Sequence, residues 1–292
     1  MLSDFELEHG LEEVRARISG ALARTSIHRQ TGRFSAILGG GKLLRSRLIL
    51  SVGAVSDLPR IHLVQAGAAV EMLHAASLLH DDIVDGGTRR RGEQALWVSE
   101  GIRAAVLLGD MLVSLAADEI QASVPSRVNL LIAALREMCD AEAEQEFAGQ
   151  DTVPTWDQCV SIAGRKTGSL FGFAAACAGG SLDARVDALR RAGYALGTAY
   201  QLADDLLDAC QDPMAADKTL GTDAATGKST AATVRPSDGK DPREHIAALL
   251  QASEDELAAW PEFQHAWRGY VHEAVTPVLT GFTGCSCSGM PV

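Results

Sequence analysis

Ala66 to Asp85 reads AGAAVEMLHAASLLHDDIVD. From Ala66 to Leu79 the apolar residues occupy every side of a helix, with Glu71, His74 and Ser77 as polar interruptions, and such a helix belongs inside a bundle rather than on its surface. The stretch then ends on Asp81-Asp82-Ile83-Val84-Asp85. Adjacent like charges are not placed next to a core without partners. The pattern recurs where Ala199-Tyr200-Gln201-Leu202-Ala203 leads into Asp204-Asp205-Leu206-Leu207-Asp208. At about 100° per residue, the first and fifth positions of each triplet lie within roughly 40° of one another on a helix. Each motif therefore offers a carboxylate pair on one face. Such pairs chelate hard cations; Mg²⁺ takes carboxylate oxygens, keeps waters and shares itself with phosphates, so two facing triplets would hold Mg²⁺ against a diphosphate. The competing reading, a solvated acidic face, fits poorly with the core-like residues that lead into both motifs.

Working outward, apolar residues recur at helical spacing from Leu63 to Leu79, Ala104 to Ile120, Leu130 to Phe147 and Val186 to Leu207, and strand signals are nearly absent. The prediction is an all-α protein, with Ala66–Leu79 and Ala188–Leu207 as inner helices that carry the triplets. Breaks fall at Gly39-Gly40-Gly41, Asp57-Leu58-Pro59, Gly86-Gly87, Val124-Pro125-Ser126, Asp151 to Pro154, Gly179-Gly180 and Asp212-Pro213, none long enough to split a domain. One domain over residues 1–282 is expected, with a Gly/Ser-rich tail, 283–292, that does not fold. The least helical stretch, Gln211 to Pro242, reads as a functional loop because it carries lysines.

Composition removes several classes. A net charge of −12 argues against a nucleic-acid binder. No apolar run approaches the roughly 18 residues of a membrane span, and Met1-Leu2-Ser3-Asp4-Phe5-Glu6 is acidic where a signal peptide is basic, so the expected location is cytoplasmic. Cys139, Cys159, Cys177 and Cys210 lack metal-site spacing and read as reduced thiols, while Cys285 and Cys287 belong to the tail.

Cations follow or precede both triplets. Arg89-Arg90-Arg91-Gly92 comes after the first, and Lys218 and Gly227-Lys228-Ser229-Thr230 after the second. Upstream, Gly39-Gly40-Gly41-Lys42-Leu43-Leu44-Arg45 sets a lysine and an arginine three apart, as on one helical face behind a glycine turn. It is a phosphate-binding arrangement without the Walker pattern. His74 alone would be a core histidine; in Glu71-x-x-His74, seven residues before Asp81, it reads as a ligand contact. His80 reads as structural, and Asp110 and Glu144 to Glu146 as caps or solvated charge outside the site.

These elements together resemble the trans-isoprenyl diphosphate synthase (polyprenyl synthetase) family over nearly the whole chain. Gly40 to Arg45 matches its Gly-Gly-Lys-x-x-Arg element, Glu71 to His74 the lead-in, Asp81 to Gly92 the first aspartate-rich motif, and Lys166 to Phe171 the Lys-Thr-x-x-Leu-Phe element. Gln201 with Asp204 to Asp208 matches the second motif, and Lys218, Gly221, Asp223, Gly227-Lys228 and Thr230 match the loop after it. The resemblance implies a large helical bundle of about ten or more helices around a central cavity, the isoprenoid synthase type I fold. It implies Mg²⁺, about three ions per site, held by Asp81, Asp85, Asp204 and Asp208, with Asp82 and Asp205 linked to the metals indirectly. Arg90, Lys166, Lys218 and Lys228 would bind an allylic diphosphate. Lys42, Arg45, His74 and Arg91 would bind isopentenyl diphosphate, and Thr167 and Gln201 would face the reacting carbons. A homodimer is implied as well.

Product length should follow from what lies below the first triplet. One helical turn, about 5.4 Å, is close to one extended isoprene unit. Ala76 and Ser77, five and four residues before Asp81, are small, so the channel reads as open for a further turn, with Leu73 and Met72 as a softer floor. A product of C20 or longer is expected, against the alternative of a C10–C15 synthase. A class I terpene cyclase would not need Lys42, Arg45 and His74, and a regulatory subunit would typically lose metal-binding aspartates. Departures from the family pattern are Trp97 in place of histidine, Gln94 in place of proline, a segment from Ala231 to Glu244 that looks shortened before the next helix, and few basic residues at the C-terminus.

Overall fold

The computed structural model describes residues 2–27, 41–147, 155–208, 231, 234–237 and 239–277. Lys218, Lys228, the loop they belong to, Gly39, Gly40, Cys210 and the tail 283–292 lie outside the described residues.

The chain is all-α. In order come α1 (Asp4–Ala23), α2 (Leu44–Gly53), α3 (Arg60–Val84), a two-stranded hairpin of β1 (Arg89–Arg90) and β2 (Glu93–Gln94), α4 (Leu96–Ser99), α5 (Ile102–Ser123), α6 (Val128–Phe147) and α7 (Trp156–Ala163). A π-helical turn (Gly164–Gly168) runs into α8 (Ser169–Cys177), followed by α9 (Asp183–Asp208), α10 (Pro242–Asp255) and α11 (Pro261–Tyr270), which ends in a second π-turn (Val271–Val275). The expected breaks at Asp57-Leu58-Pro59, Gly86-Gly87, Val124-Pro125-Ser126 and Gly179-Gly180 fall between described helices, and those at Asp151 to Pro154 and Asp212-Pro213 lie outside the described residues. Ser3 and Glu6 form a capping box on α1, as Thr155 and Gln158 do on α7, each satisfying two otherwise orphaned N–H groups.

Helix α3 packs against α5, α2 and α1, and α9 packs against α8, α10 and the first π-turn. Between the two acidic helices stands α8, which touches both and is buried at all of its residues. That position corrects one expectation. Helix α9 is not apolar all round, since Arg191 on its outer side is exposed and bonded to Glu256; the wholly interior helix is α8.

Glycine makes the α8–α9 contact closer than ordinary side chains allow. A Cβ on Gly168 would stand 2.7 Å from the Tyr194 carbonyl oxygen, one on Gly193 2.5 Å from that of Phe171, and one on Gly197 2.8 Å from the Gly168 Cα. Backbone meets backbone here, and the crossing fixes what the next residues along each helix can reach.

One further expectation changes. Lys42 and Arg45 do not share a helical face: Leu43 adopts a left-handed conformation (φ 47°), so α2 begins after Lys42, leaving Lys42 exposed on the turn and Arg45 inside the helix. The next helix after Ala231 is α10, where Pro242 occupies the first turn and Asp241 caps it through the Arg243 N–H (2.8 Å). Among the described residues Cys159 and Cys177 are buried free thiols, pushed by burial up to about 11 and about 12, while free Cys139 is exposed. No described helix is long and apolar enough to cross a membrane.

Candidate active site

At the end of α3, Asp81 is partly buried and Asp85 follows the last helical turn. Burial lifts the Asp81 carboxyl to about 7; Lys166 opposes that rise, and Glu142 and Asp85 add to it. Asp82 is turned the other way, 3 % exposed, with its Oδ1 accepting from Arg90 Nε at 3.0 Å and from Arg90 Nη2. Arg90 is delivered by the hairpin, in which Arg89 pairs with Gln94 and Arg90 with Glu93 across a two-residue turn at Arg91 (φ 54°) and Gly92 (φ 78°). Positive φ at both turn residues is the twist that suits a tight hairpin. Trp97, in histidine's place, closes the loop by donating Nε1–H to the Gly87 carbonyl at 2.7 Å.

Lys166 and Thr167 sit in the π-turn that enters α8. Lys166 Nζ donates to Gln145 Oε1 at 3.0 Å and is ion-paired with Glu142, both on α6, while neighbouring Arg165 bonds Asp140 at 2.8 Å and Glu144. Sequence reasoning placed Glu144 to Glu146 outside the site and did not single out Glu142. A signal existed, because Glu142 and Gln145 are three apart on one helix and so share a face.

On the second wall, Thr167 Oγ1–H donates to Gln201 Oε1 at 2.6 Å. Gln201 Nε2–H in turn donates to Asp205 Oδ1 at 2.7 Å, and Asp205 Oδ2 accepts the Ala231 N–H at 3.2 Å. Asp204 and Asp208 are partly exposed on the same helix. The consecutive residues Lys166 and Thr167 thus link the walls, one acting electrostatically on Asp81 and the other bonded to Gln201.

Arg45, Arg91 and His74 share their surroundings with Glu71 of α3, while Lys42 is exposed on the turn before α2. Arg45 lies over the Phe171 ring, 4.5 Å to its centroid, and shares a buried environment with Glu71, whose Oε1 accepts the Ser46 N–H at 3.0 Å. Burial pulls Arg45 down and pushes Glu71 up, and each charge offsets the other's shift. His74 is held well below the ordinary histidine range by burial first, then by Arg45, Arg91 and Arg90, so it is neutral there. Gly41 (φ +107°) is required: a Cβ would stand 2.8 Å from the Arg91 guanidinium that packs on it. Tyr270 braces this turn from α11, its hydroxyl donating to the Leu44 carbonyl at 2.9 Å. Below Asp81, Ala76, Leu73 and Met72 are buried, and partly buried Ser77 donates to the His74 carbonyl at 2.9 Å. His80 stands 3.7 Å from Asp110 and against Gly109.

Among the described residues no three Asp, Glu, His or Cys side chains converge into a ready metal cluster. What the arrangement offers is separated carboxylate pairs among fixed cations, which suits a multiply charged anionic ligand that completes the coordination itself.

An all-α bundle with an acidic triplet on each of two helices, and a lysine and threonine between them, defines the class. A family model described as polyprenyl synthetase matches residues 31–263, and the chain belongs to that family. The chain is 32% identical over 233 residues to a geranylgeranyl diphosphate synthase of Mycobacterium tuberculosis, covering 75% of this chain and 65% of that protein. It is 31% identical over 195 residues to a nonaprenyl diphosphate synthase of the same organism, covering 65% of this chain and 58% of the relative. These matches span less than two thirds of either relative. A solved polyprenyl synthase from Caulobacter crescentus, complexed with calcium and isoprenyl diphosphate, superposes with a TM-score of 0.77 at 26% identity, covering 92% of this chain and 95% of that one.

Proposed function

We propose that the protein is a Mg²⁺-dependent prenyltransferase that condenses an allylic diphosphate with isopentenyl diphosphate, head to tail, giving a trans-polyprenyl diphosphate of C20 or longer and diphosphate, and that it works as a cytoplasmic homodimer. The observation that supports this reading is the π-turn: Lys166 acts on Asp81 of one wall while the next residue, Thr167, is bonded to Gln201 on the helix that carries Asp204.

The carboxylates fit a hard divalent cation. Their donors are all oxygens, and Asp81 is a desolvated carboxyl whose charge is unfavourable until a cation joins it. Asp81 and Asp85 would hold it on one wall, Asp204 and Asp208 on the other. When bound, Mg²⁺ supplies stabilisation of the negative charge that develops on the leaving diphosphate.

The chain's own residues do the rest. Arg90 and Lys166, with Lys218 and Lys228 from the loop after α9, bind the allylic diphosphate through fixed positive charge. Lys42, Arg45, Arg91 and neutral His74 bind the diphosphate of isopentenyl diphosphate; a neutral imidazole adds a hydrogen bond without adding to the repulsion among the nearby Arg45, Arg90 and Arg91 charges. As the allylic C–O bond breaks, the carbocation lies beside the oxygens of Thr167 and Gln201, which stabilise it without attacking it. Apolar walls exclude water that would quench it. The double bond of isopentenyl diphosphate then attacks, and the proton lost goes to the departing diphosphate, so no protein base is needed.

Chain length rests on the small side chains of Ala76 and Ser77 below Asp81, which would give way to a growing tail as far as Leu73 and Met72. The two named relatives are a geranylgeranyl and a nonaprenyl diphosphate synthase, so relatedness alone does not choose. The test is condensation by purified protein given Mg²⁺, isopentenyl diphosphate and allylic diphosphates of increasing length, with products sized by mass spectrometry. Condensation should disappear when Mg²⁺ is removed. A cyclic hydrocarbon made from one substrate would overturn the reading. Ser77→Phe should shorten the product by at least one isoprene unit, and an unchanged length would refute the channel assignment.

A further inference from the structure

We infer that the middle aspartate of each triplet is a positioning residue: Asp82 fixes the guanidinium of Arg90, and Asp205 fixes the side-chain amide of Gln201 and, through it, the hydroxyl of Thr167. The inference rests on the proposed function for the identity of the ligand, and it assigns these two carboxylates a task other than metal coordination.

On a helix, Asp82 points about 100° away from Asp81. The structure shows where that direction leads. Asp82 is enclosed at 3 % exposure under the hairpin, and one of its oxygens takes both Nε and Nη2 of Arg90. The Gly87 backbone covers it, leaving 3.3 Å between Asp82 Oδ1 and the place a Cβ would occupy. A metal ion reaching that oxygen would have to displace Arg90. Arg90 sits on a hairpin of only two residue pairs, which by itself gives little rigidity. The buried carboxylate supplies that rigidity: with Nε and Nη2 engaged, the remaining guanidinium N–H groups keep a fixed direction for an anion.

Asp205 solves a different problem. A glutamine amide can be turned end for end, and the two orientations present opposite chemistry to a neighbour. Asp205 accepts only from an N–H, so it selects the orientation in which Gln201 Nε2 faces the carboxylate and Oε1 faces Thr167. Thr167 must then donate its hydroxyl proton to Gln201. Its lone pairs are left to face elsewhere, beside Lys166, where partial negative charge is of use. The second oxygen of Asp205 holds the Ala231 N–H, tying the same carboxylate to the chain that follows the loop after α9.

Inorganic pyrophosphate is the probe for the first limb, titrated calorimetrically into the protein with saturating Mg²⁺, and Mn²⁺ binding is followed in parallel by electron paramagnetic resonance. Asp82→Asn and Arg90→Ala should each weaken pyrophosphate about tenfold, and the double variant should bind no worse than Arg90→Ala alone. Mn²⁺ affinity and stoichiometry should not change. Arg90→Ala alters a partly exposed side chain and so gives the phenotype without threatening the fold. For the second limb, Asp205→Ala should leave pyrophosphate and Mn²⁺ binding intact and lower kcat by the same factor as Gln201→Ala, with KM held and no further loss in the double variant. A missing Mn²⁺ ion in either aspartate variant, or independent effects in either double variant, overturns the inference. Failure of the wild-type protein to condense substrates would instead overturn the proposed function, and the pyrophosphate and Mn²⁺ measurements would still decide whether the middle aspartates hold metal.

Discussion

The two aspartate triplets are alike in sequence and unlike in their surroundings. Around Asp81 the neighbours are charged: Lys166 with Glu142 behind it, Arg90 on Asp82, and the Arg45, Arg91 and His74 group further along α3. Around Asp205 the hydrogen-bonding groups are neutral: the Gln201 amide, which also takes the Thr167 hydroxyl, and the Ala231 backbone N–H. A spacing of three carboxylates therefore does not specify a task. On the reading proposed above, both walls carry metal-holding carboxylates; the first adds fixed cations beside them, and the second adds the oxygen dipoles of Gln201 and Thr167.

The comparison breaks most severely if the outer aspartates are removed. Asp81→Ala and Asp204→Ala should each lower turnover about 10²- to 10³-fold, the scale expected when a group that stabilises developing charge is lost. Steady-state assays at saturating Mg²⁺ check this. The walls differ in one respect that thermal melting exposes: Asp81→Ala also relieves a desolvated carboxyl, so its melting temperature without Mg²⁺ should not fall.

Next in size is the helix crossing that joins the walls. Gly197→Ala places a methyl 2.8 Å from the Gly168 Cα, and backbone cannot give way as a side-chain tip can. Overpacking of this kind costs about 1–3 kcal/mol. Gly172→Ala, which meets the Arg190 carbonyl at 2.8 Å, strains the same crossing on the side away from Thr167. Both should lower stability in urea unfolding, but only Gly197→Ala should also lower kcat, since it moves Thr167 from Gln201. Equal kcat losses would mean that the crossing serves stability alone.

This crossing also marks the limit of what the sequence discloses. The triplets, the inner position of α3, the helical segments and most breaks follow from periodicity and punctuation, which are local properties. The crossing is not local: glycines at 168, 172, 193 and 197 carry meaning only once the two helices are known to face each other. The same reason hides the contact of Lys166 with Glu142 and Gln145, which come from another helix. Lys42 and Arg45 fail differently. Their spacing suits a helix, yet with left-handed Leu43 as its cap α2 starts two residues after Lys42, and a non-glycine residue at positive φ leaves no compositional trace. Strands of two residues are below any period that alternation could reveal, so the hairpin carrying Arg90 was legible only as a run of arginines.

A smaller effect separates the walls by pH. The folded protein binds a proton at His74 less readily than the unfolded chain, so stability from neutral His74 is present above its ordinary value of 6.5 and lost as pH falls below it. The slope is at most about 1.4 kcal/mol per pH unit. Glu71 acts in the opposite sense: its carboxyl is raised, so stability falls as pH rises above its ordinary 4.5. Comparing wild type with His74→Gln isolates the histidine, because Glu71 remains in both. The stability advantage of the wild type over His74→Gln should shrink progressively between about pH 6.5 and 5 in urea titrations. A constant difference would mean that His74 takes up its proton equally in the folded and unfolded chains, and burial does not hold it neutral.

The smallest expected effect tests how tightly the first wall is held. Trp97 Nε1–H and the Gly87 carbonyl, 2.7 Å apart, make a single hydrogen bond on the loop that covers Asp82. A bond of this kind contributes about 0.5–1.5 kcal/mol. Trp97→Phe keeps the ring and removes the donor, so the loop loosens over Asp82 and Arg90 without any change at Gln201 or Thr167. The expected result is a rise in KM for the allylic diphosphate of about twofold to tenfold, the kinetic equivalent of that energy, with kcat unchanged. Trp97→His retains a ring N–H and should fall between the two. A drop in kcat instead would show that the loop reaches the reacting carbons, and the division between a charge-holding wall and a carbon-facing wall would no longer stand.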